Sequence, residues 1–178
     1  LPGNIIKVDG FLNHRVDTKL LEALADEFAK YFDISKITMV LTAEASGIAL
    51  ATICAQKYGV PMLFAKKAKS DNIEGGLYQS EIFSYTYKKK VTLLVSKEWI
   101  HPGDRVLVID DFLARGEALR GLCEIVQAAG AELVGIGCAV EKGFQGGGDK
   151  FRASGVPYKA LAVIEQADEN GILFREDD

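Results

Sequence analysis

Short, continuously apolar runs alternate with helix-like stretches along this chain of 178 residues. The runs predict strands at 36–42, 61–65, 82–87, 91–96, 105–109, 132–141, 158–164 and 172–174. The predicted helices cover 18–32, 46–58 and 117–129. Strands that are apolar on both sides need cover on both sides, which is typical of a mainly parallel sheet flanked by helices. The sequence therefore predicts an α/β fold, and the absence of a linker or repeat predicts one domain over residues 1–178.

Composition and charge restrict the partners of this chain. The formal net charge of −4 gives no basic face for a nucleic-acid backbone. No apolar run reaches the length of a membrane span, and no signal peptide is recognisable. Cys54, Cys123 and Cys138 lie in apolar segments without a pair motif, which is typical of buried thiols in a reducing compartment. We expect a cytoplasmic protein that acts on small molecules and binds neither nucleic acid nor membranes.

The segment from Val106 to Ala118 gives the clearest chemical signal. Its apolar strand ends in two carboxylates, Asp110 and Asp111, and a loop containing Gly116 leads into a helix. Backbone N–H groups of such a loop bind phosphate, and glycine lets the backbone approach the anion. Carboxylates nearby suit sugar hydroxyls or a partly hydrated Mg²⁺ ion. The pattern indicates a pocket for a ribose 5′-phosphate, and the alternative is an acidic pair that caps the helix and faces water.

Residues 106–118 resemble the phosphoribosyl-pyrophosphate signature of type I phosphoribosyltransferases. Ala114 and Ala118 stand where the general pattern has threonines, and this Ala-x-Gly-x-Ala form is typical of the xanthine branch of the family. The resemblance to that branch extends over nearly the whole chain and includes 11–14 (FLNH), 44–47 (EASG) and 141–145 (EKGFQ). It implies the type I phosphoribosyltransferase fold, a mainly parallel sheet flanked by helices with a small N-terminal hood and a mobile lid loop.

The resemblance also implies a role for each part of the site. The expected catalytic residues, which orient the ribose hydroxyls, are Asp110 and Asp111. Contacts to phosphoribosyl pyrophosphate (PRPP) are expected from two loops, one with Ala114, Arg115, Gly116, Glu117 and Ala118 and the other with Glu44, Ala45, Ser46 and Gly47. The residues expected to contact the base are Ile6, Asn13 and Lys142. The residues expected in the lid loop over pyrophosphate are Lys66, Lys67, Lys69 and Tyr78.

Without the resemblance, these segments also fit structural interpretations. The loop at 42–47 is equally an ordinary helix start with Ser46 as N-cap. The segment 66–79 is also compatible with a solvated hairpin that carries surface lysines. Lys142 is also compatible with a solvated strand end. The residues alone leave these alternatives open.

The family implies transfer of a phosphoribosyl group to xanthine, a step of purine salvage, by a homodimer that uses PRPP with Mg²⁺ carried by the pyrophosphate. A lysine donor at Lys142 suits an oxopurine better than adenine. Guanine, hypoxanthine and adenine are the alternative bases. A non-catalytic PRPP-sensing regulator is another alternative, but such regulators carry an additional DNA-binding domain, for which this acidic chain has no room.

Overall fold

A computed structural model describes residues 6–67, 76–84, 88–168 and 171–176. Its strands are β1 (Met39–Ala43), β2 (Met62–Ala65), β3 (Leu77–Ser84), β4 (Lys89–Ser96), β5 (Arg105–Leu113), β6 (Glu132–Lys142), β7 (Tyr158–Asp168) and β8 (Gly171–Phe174). Its α-helices are α1 (Thr18–Tyr31), α2 (Gly47–Tyr58), α3 (Glu117–Ala128) and α4 (Gly147–Ala153). A π-helical turn (Asp9–Asn13) and two 3₁₀ turns (Ile34–Lys36 and Gly143–Gln145) complete the elements.

The main sheet has six strands in the order β2-β1-β5-β6-β7-β8. Neighbouring strands are parallel except for β8, which runs antiparallel to β7. Strands β3 and β4 form a separate antiparallel pair, which joins the end of β2 through a bridge between Lys66 and Leu94. The predicted α/β fold with a mainly parallel sheet and flanking helices is therefore confirmed.

The two faces of the sheet carry separate hydrophobic cores. Side chains alternate along a strand, so Val106 and Val108 of β5 pack with α3 and the β3–β4 hairpin, whereas Leu107 and Ile109 pack with α1 and α2. All four side chains are fully buried, and each contributes about 1.5–3 kcal/mol relative to exposure. This double cover explains why β5 is a continuous apolar run.

The hairpin β3–β4 is held against α3 by polar contacts and close packing. Arg120 donates to the carbonyl oxygen of Glu81 at 2.9 Å, and the Ser80 hydroxyl donates to Glu124 at 2.6 Å. A Cβ at Gly121 would lie 2.6 Å from the Ile82 side chain, so glycine lets the two elements approach. These contacts set the hairpin beside the start of α3.

Local signals located the helix ends well. The Asp17 carboxylate accepts from the backbone N–H of Leu20 at 3.1 Å and caps α1. Helix α2 ends at Gly59, whose φ of +69° lies in the left-handed region that favours glycine. No helix within the described ranges has the length and apolar character needed to cross a bilayer.

Several predicted boundaries are wrong. Strand β1 begins at Met39 instead of Lys36, because the chain first makes the 3₁₀ turn at 34–36. Strand β5 does not stop with its apolar run at Ile109 but continues to Leu113, since β6 pairs with it as far as Leu113. Helix α4 was not predicted, because glycines 146–148 at its start are poor helix formers.

The structure agrees with the prediction that the cysteine thiols are buried, fully at two positions and in part at the third. Cys54 and Cys138 are buried, and Cys123 is half-buried. Burial raises the pKa of Cys123 to about 11, so its thiol stays protonated at neutral pH. All three behave as small packing residues in this structure.

Candidate active site

The carboxyl ends of β1, β5 and β6 meet at one edge of the sheet. Strand β5 is central and pairs with both β1 and β6. The loop 44–46 follows β1, the loop 114–116 follows β5, and Lys142 ends β6. In open α/β sheets, ligands bind outside these ends. Topology alone therefore brings together the three segments that the sequence predicted to form the site.

Asp110 and Asp111 lie in the second half of β5 and are buried, with exposed fractions of 7% and 2%. The Asp111 backbone N–H donates to Oδ1 of Asp110 at 3.0 Å. Burial first, and the charge of Asp111 second, raise the pKa of Asp110 well above its ordinary value. The alternative of a solvated acidic pair that caps the following helix is therefore wrong.

The carboxylate of Asp111 joins two distant segments. The Ser46 hydroxyl donates to its Oδ1 at 2.9 Å, and the Asn13 side-chain amide donates to its Oδ2 at 3.1 Å. Ser46 occupies the N-cap position of α2, but its hydroxyl makes no capping bond to that helix. The simple N-cap interpretation of Ser46 therefore describes its position and not the role of its side chain.

The loop before α2 approaches the acidic pair closely. A Cβ at Gly47 would lie 2.2 Å from Oγ1 of Thr42 and 2.9 Å from Oδ1 of Asp110, so only glycine fits without movement. Within the described part of the chain, the buried Thr42 hydroxyl has no hydrogen-bond partner. The Glu44 carboxylate accepts from the backbone N–H of Lys67, which ties the loop to the start of the predicted lid. The N-terminus of α2, with its positive dipole end, thus faces the site.

A pocket of about 200 Å³ opens above the end of β5. The residues that line it include Lys67, Phe83, Asp110, Phe112, Ala114, Arg115, Gly116, Glu117 and Ala118. Gly116 has φ of +82° and immediately precedes α3, so the loop turns sharply into the helix. Because 114 and 118 are alanines, the loop presents backbone N–H groups and no hydroxyl donors at these two positions.

The Glu117 carboxylate is held by hydrogen bonds within the protein. Its carboxylate accepts from Arg120 at 2.9 Å and from the backbone N–H of Phe83 at 3.3 Å. The hydrogen bond from Arg120 lowers the pKa of Glu117. Glu117 also lines the pocket, and its contact with PRPP stays a prediction.

Residues of the predicted base site lie beside the acidic pair. The Lys142 ammonium is 5.3 Å from the ring centroid of Phe112, and burial lowers the pKa of this half-buried lysine. Ile6 and Phe112 both pack against the core between the N-terminal segment, α1 and α2. Asn13 binds Asp111, so one of the three predicted base contacts touches the acidic pair directly, and the assignment of all three to the base stays a prediction. Lys142 is therefore not a simple solvated strand end.

The predicted lid is described only in part. Lys66 exchanges two backbone hydrogen bonds with Leu94, of 2.9 and 2.8 Å, and Lys67 lines the pocket. Tyr78 belongs to β3, where its ring lies 5.0 Å from the Lys97 ammonium. Lys69 and the rest of 68–75 lie outside the described residues. The lid therefore stays a prediction.

Three residues near the acidic pair and Lys142 stand out in the structure but were not among the predicted site residues. Phe112 lies against the Lys142 ammonium, Thr42 is buried next to the Gly47 backbone, and Glu141 is completely buried directly before Lys142. Thr42 and Glu141 share one usable signal, a polar residue within an otherwise apolar strand, since such groups are costly to bury without a purpose. Phe112 gave no such signal.

Comparison with known proteins agrees with this geometry. The model of the phosphoribosyl transferase domain matches residues 13–164. A crystal structure of adenine phosphoribosyltransferase from Thermoanaerobacter pseudethanolicus superposes with a TM-score of 0.70 over 83% of this chain and 81% of that one, at 22% identity. The chain therefore belongs to the phosphoribosyltransferase family and has its type I fold.

Other known proteins are more similar in sequence to this chain than that structure is. The chain is 48% identical to the xanthine phosphoribosyltransferase of Alkaliphilus metalliredigens, over 98% of this chain and 87% of the relative. It is 49% identical to that of Bifidobacterium longum, over 97% of this chain and 91% of the relative. Both of these matches extend over nearly the whole of this chain.

Proposed function

We propose that this chain is a xanthine phosphoribosyltransferase of purine salvage. It joins xanthine to the ribose of PRPP and forms xanthosine 5′-monophosphate and pyrophosphate. The observation that carries the proposal is the meeting of Asn13 and Ser46 on the two carboxylate oxygens of Asp111. That contact joins the segment expected to bind the base, the loop expected to bind pyrophosphate, and the pair expected to bind ribose.

PRPP would lie across the end of β5. The backbone N–H groups of 114–118 and the start of α3 bind the 5′-phosphate, and Arg115 adds a positive charge. The loop with Glu44, Ala45, Ser46 and Gly47, at the N-terminus of α2, binds the pyrophosphate. Asp110 and Asp111 lie between these loops, at the place where the ribose hydroxyls must be held.

Lys142 and Asn13 would select the base, with Ile6 beside them. A protonated Lys142 donates to an exocyclic oxygen of xanthine but opposes the exocyclic amino group of adenine. Lys142 is half-buried, which lowers its pKa, and the lower local dielectric strengthens a hydrogen bond from its ammonium to an oxygen. Phe112 gives an apolar wall next to this donor.

The chemical step would be a displacement at C1 of the ribose. The bond from C1 to the pyrophosphate oxygen breaks, a bond from C1 to a ring nitrogen of the base forms, and the proton of that nitrogen leaves. Positive charge develops on the sugar ring in the transition state. The buried carboxylate of Asp111 stabilises this charge, and backbone N–H groups of 44–47 stabilise the leaving pyrophosphate. Holding both substrates in line supplies much of the acceleration.

Magnesium enters this proposal as part of the substrate. Among the described residues, no group of three or more His, Cys, Asp and Glu side chains is arranged to hold a metal ion. The resemblance to the family implies that the ion enters with the pyrophosphate of PRPP, where it would neutralise the leaving group. A homodimer in the cytoplasm completes the proposal, by analogy with the family.

The test is a parallel assay of the purified protein with Mg²⁺, PRPP and one of four bases. We expect fast formation of nucleotide from xanthine, slower formation from guanine and hypoxanthine, and none from adenine. Preference for another base would leave the fold and the chemical step intact but refute the roles of Asn13 and Lys142. Binding of PRPP without turnover of any base would favour a sensor.

A further inference from the structure

Glu141 carries a fully buried carboxylate directly before Lys142. Arg152 donates to its two oxygens at 2.9 and 2.7 Å, and the Tyr158 hydroxyl donates to Oε2 at 2.7 Å. Paired hydrogen bonds from a guanidinium to a carboxylate fix both groups in direction as well as distance. Side chains alternate along β6, so Glu141 and Lys142 point to opposite faces of the sheet. Glu141 therefore belongs to a polar cluster outside the pocket.

Helix α4 is packed between this cluster and the loop 114–116, which is called the phosphate loop because the proposed function places the 5′-phosphate there. A Cβ at Gly148 would lie 2.1 to 2.4 Å from the three carboxyl atoms of Glu141. A Cβ at Gly147 would lie 2.3 Å from the carbonyl oxygen of Ala114 and 2.8 Å from the carbonyl carbon of Arg115. Only glycines allow the first turn of α4 to touch both neighbours. The glycine-rich segment thus connects Glu141 with the backbone of 114–115.

Phe151 makes a second connection to the same loop. Its ring lies 2.9 Å from the position of a Cβ at Gly116, on the turn that leads into α3. The ring also stacks on Tyr158, with centroids 5.7 Å apart. Tyr158 in turn is bound to Glu141. Both contacts between α4 and the phosphate loop therefore lead back to one buried carboxylate.

We propose that Glu141 is a positioning residue for the 5′-phosphate end of the PRPP site, acting through α4 on the backbone of 114–116. The proposal rests on the proposed function. Its physical reason is the pair of alanines at 114 and 118, which leaves backbone N–H groups as the main donors. The orientation of the loop backbone then decides how well the phosphate is held, and misplacement by an ångström is costly.

The test compares binding of ribose 5-phosphate with binding of pyrophosphate by titration calorimetry. Glu141→Gln keeps the shape of the side chain but removes the charge that Arg152 binds. We expect about a tenfold loss of affinity for ribose 5-phosphate, and a similar rise in KM for PRPP, with affinity for pyrophosphate unchanged. Because neither probe contains a base, the result does not depend on whether xanthine is the substrate.

A second variant and a control keep the test decisive. Tyr158→Phe removes one hydrogen bond and keeps the stacked ring, so about a threefold loss is expected even if the first variant does not fold. Gly135→Ala places a Cβ 2.5 Å from the Phe32 ring at the other end of β6, and it should lower the melting temperature without changing ribose 5-phosphate affinity.

Three results overturn the proposal. One is unchanged ribose 5-phosphate affinity in whichever of the two variants folds. The second is an equal loss for pyrophosphate, which shows a general structural role. The third is an equal loss of ribose 5-phosphate affinity in Gly135→Ala at matched stability.

Discussion

The Asn13 amide donates to Oδ2 of Asp111 at 3.1 Å, although 98 residues separate the two in sequence. Ser46 donates to the other oxygen of the same carboxylate. Each oxygen of an ionised carboxylate has two lone pairs, so Asp111 can still accept a hydroxyl on either side. Asp111 can thus hold ribose hydroxyls while it keeps the N-terminal segment and the 44–47 loop in place.

Asp111→Asn should lower kcat by at least about 100-fold, because the amide removes the negative charge opposite the developing positive charge on the ribose. The measurement is steady-state turnover of xanthine with saturating PRPP. Asp33→Asn, on an exposed turn after α1, is the matched control and should keep full activity. Near-normal turnover of Asp111→Asn would contradict its catalytic role.

Lys142 should give the reaction a specific pH dependence. Burial lowers its pKa, so the ammonium loses its proton at a lower pH than the ordinary value of about 10.4. Since the charged form is the donor, kcat/KM for xanthine should fall as pH rises through that pKa.

Two variants test whether the fall in kcat/KM at high pH, the descending limb of the pH profile, is caused by Lys142. Lys142→Arg keeps its charge throughout, so this limb should disappear while part of the activity remains. Lys142→Met should lose about 100-fold in kcat/KM for xanthine at neutral pH and should also lack the limb. A limb that persists unchanged in the arginine variant would show that another group titrates.

Asp110→Asn should stabilise the protein at neutral pH and impair catalysis. The pKa of Asp110 is raised in the folded state by burial and by Asp111, above the value of about 3.9 in the unfolded chain. At a pH between the pKa of Asp110 in the unfolded chain and its higher pKa in the folded state, the folded state binds more protons than the unfolded state. The free energy of unfolding therefore falls as pH rises through this range.

Asparagine does not titrate, and its carbonyl oxygen can still accept the N–H of Asp111. We therefore expect a melting temperature about 2–4 °C higher at pH 7, which corresponds to about 1 kcal/mol. The advantage should vanish below the unfolded pKa, where Asp110 is neutral in both states. Thermal melts across this pH range check it, and equal melting temperatures at pH 7 would show that ionised Asp110 costs nothing.

Gly47→Ala should destabilise the fold by about 1–3 kcal/mol and reduce turnover, because its Cβ would meet Oγ1 of Thr42 at 2.2 Å. Thr42→Ala removes that atom, and the double variant should regain part of the stability. Thr42→Ala alone should cost only about 1 kcal/mol from lost methyl contacts, since its hydroxyl has no partner among the described residues. Denaturant unfolding of the three variants measures this, and strictly additive losses would contradict the steric explanation.

Sequence patterns determined the elements and the class of site. Strands of the main sheet are buried on both faces, so they appear as apolar runs, and helix ends carry their own signals at Asp17 and Gly59. The acidic pair and the glycine loop after it gave the chemical signal. These residues follow one another in the chain, so their arrangement is visible as a sequence pattern. The segments expected to contribute to the site were therefore predictable.

Only the tertiary structure decided how these parts meet. The order of the strands brings Ser46 and Asn13 to Asp111, and pairing with β6 extends β5 through Asp110, which is buried. The proposed role of Glu141 depends on α4, which begins with glycines that are poor helix formers by themselves. Glycine is needed there because Glu141 on one side and the backbone of 114–115 on the other leave no room for a Cβ. Hydrogen bonds and close contacts between residues far apart in sequence depend on sheet order and strand register, which no local pattern encodes.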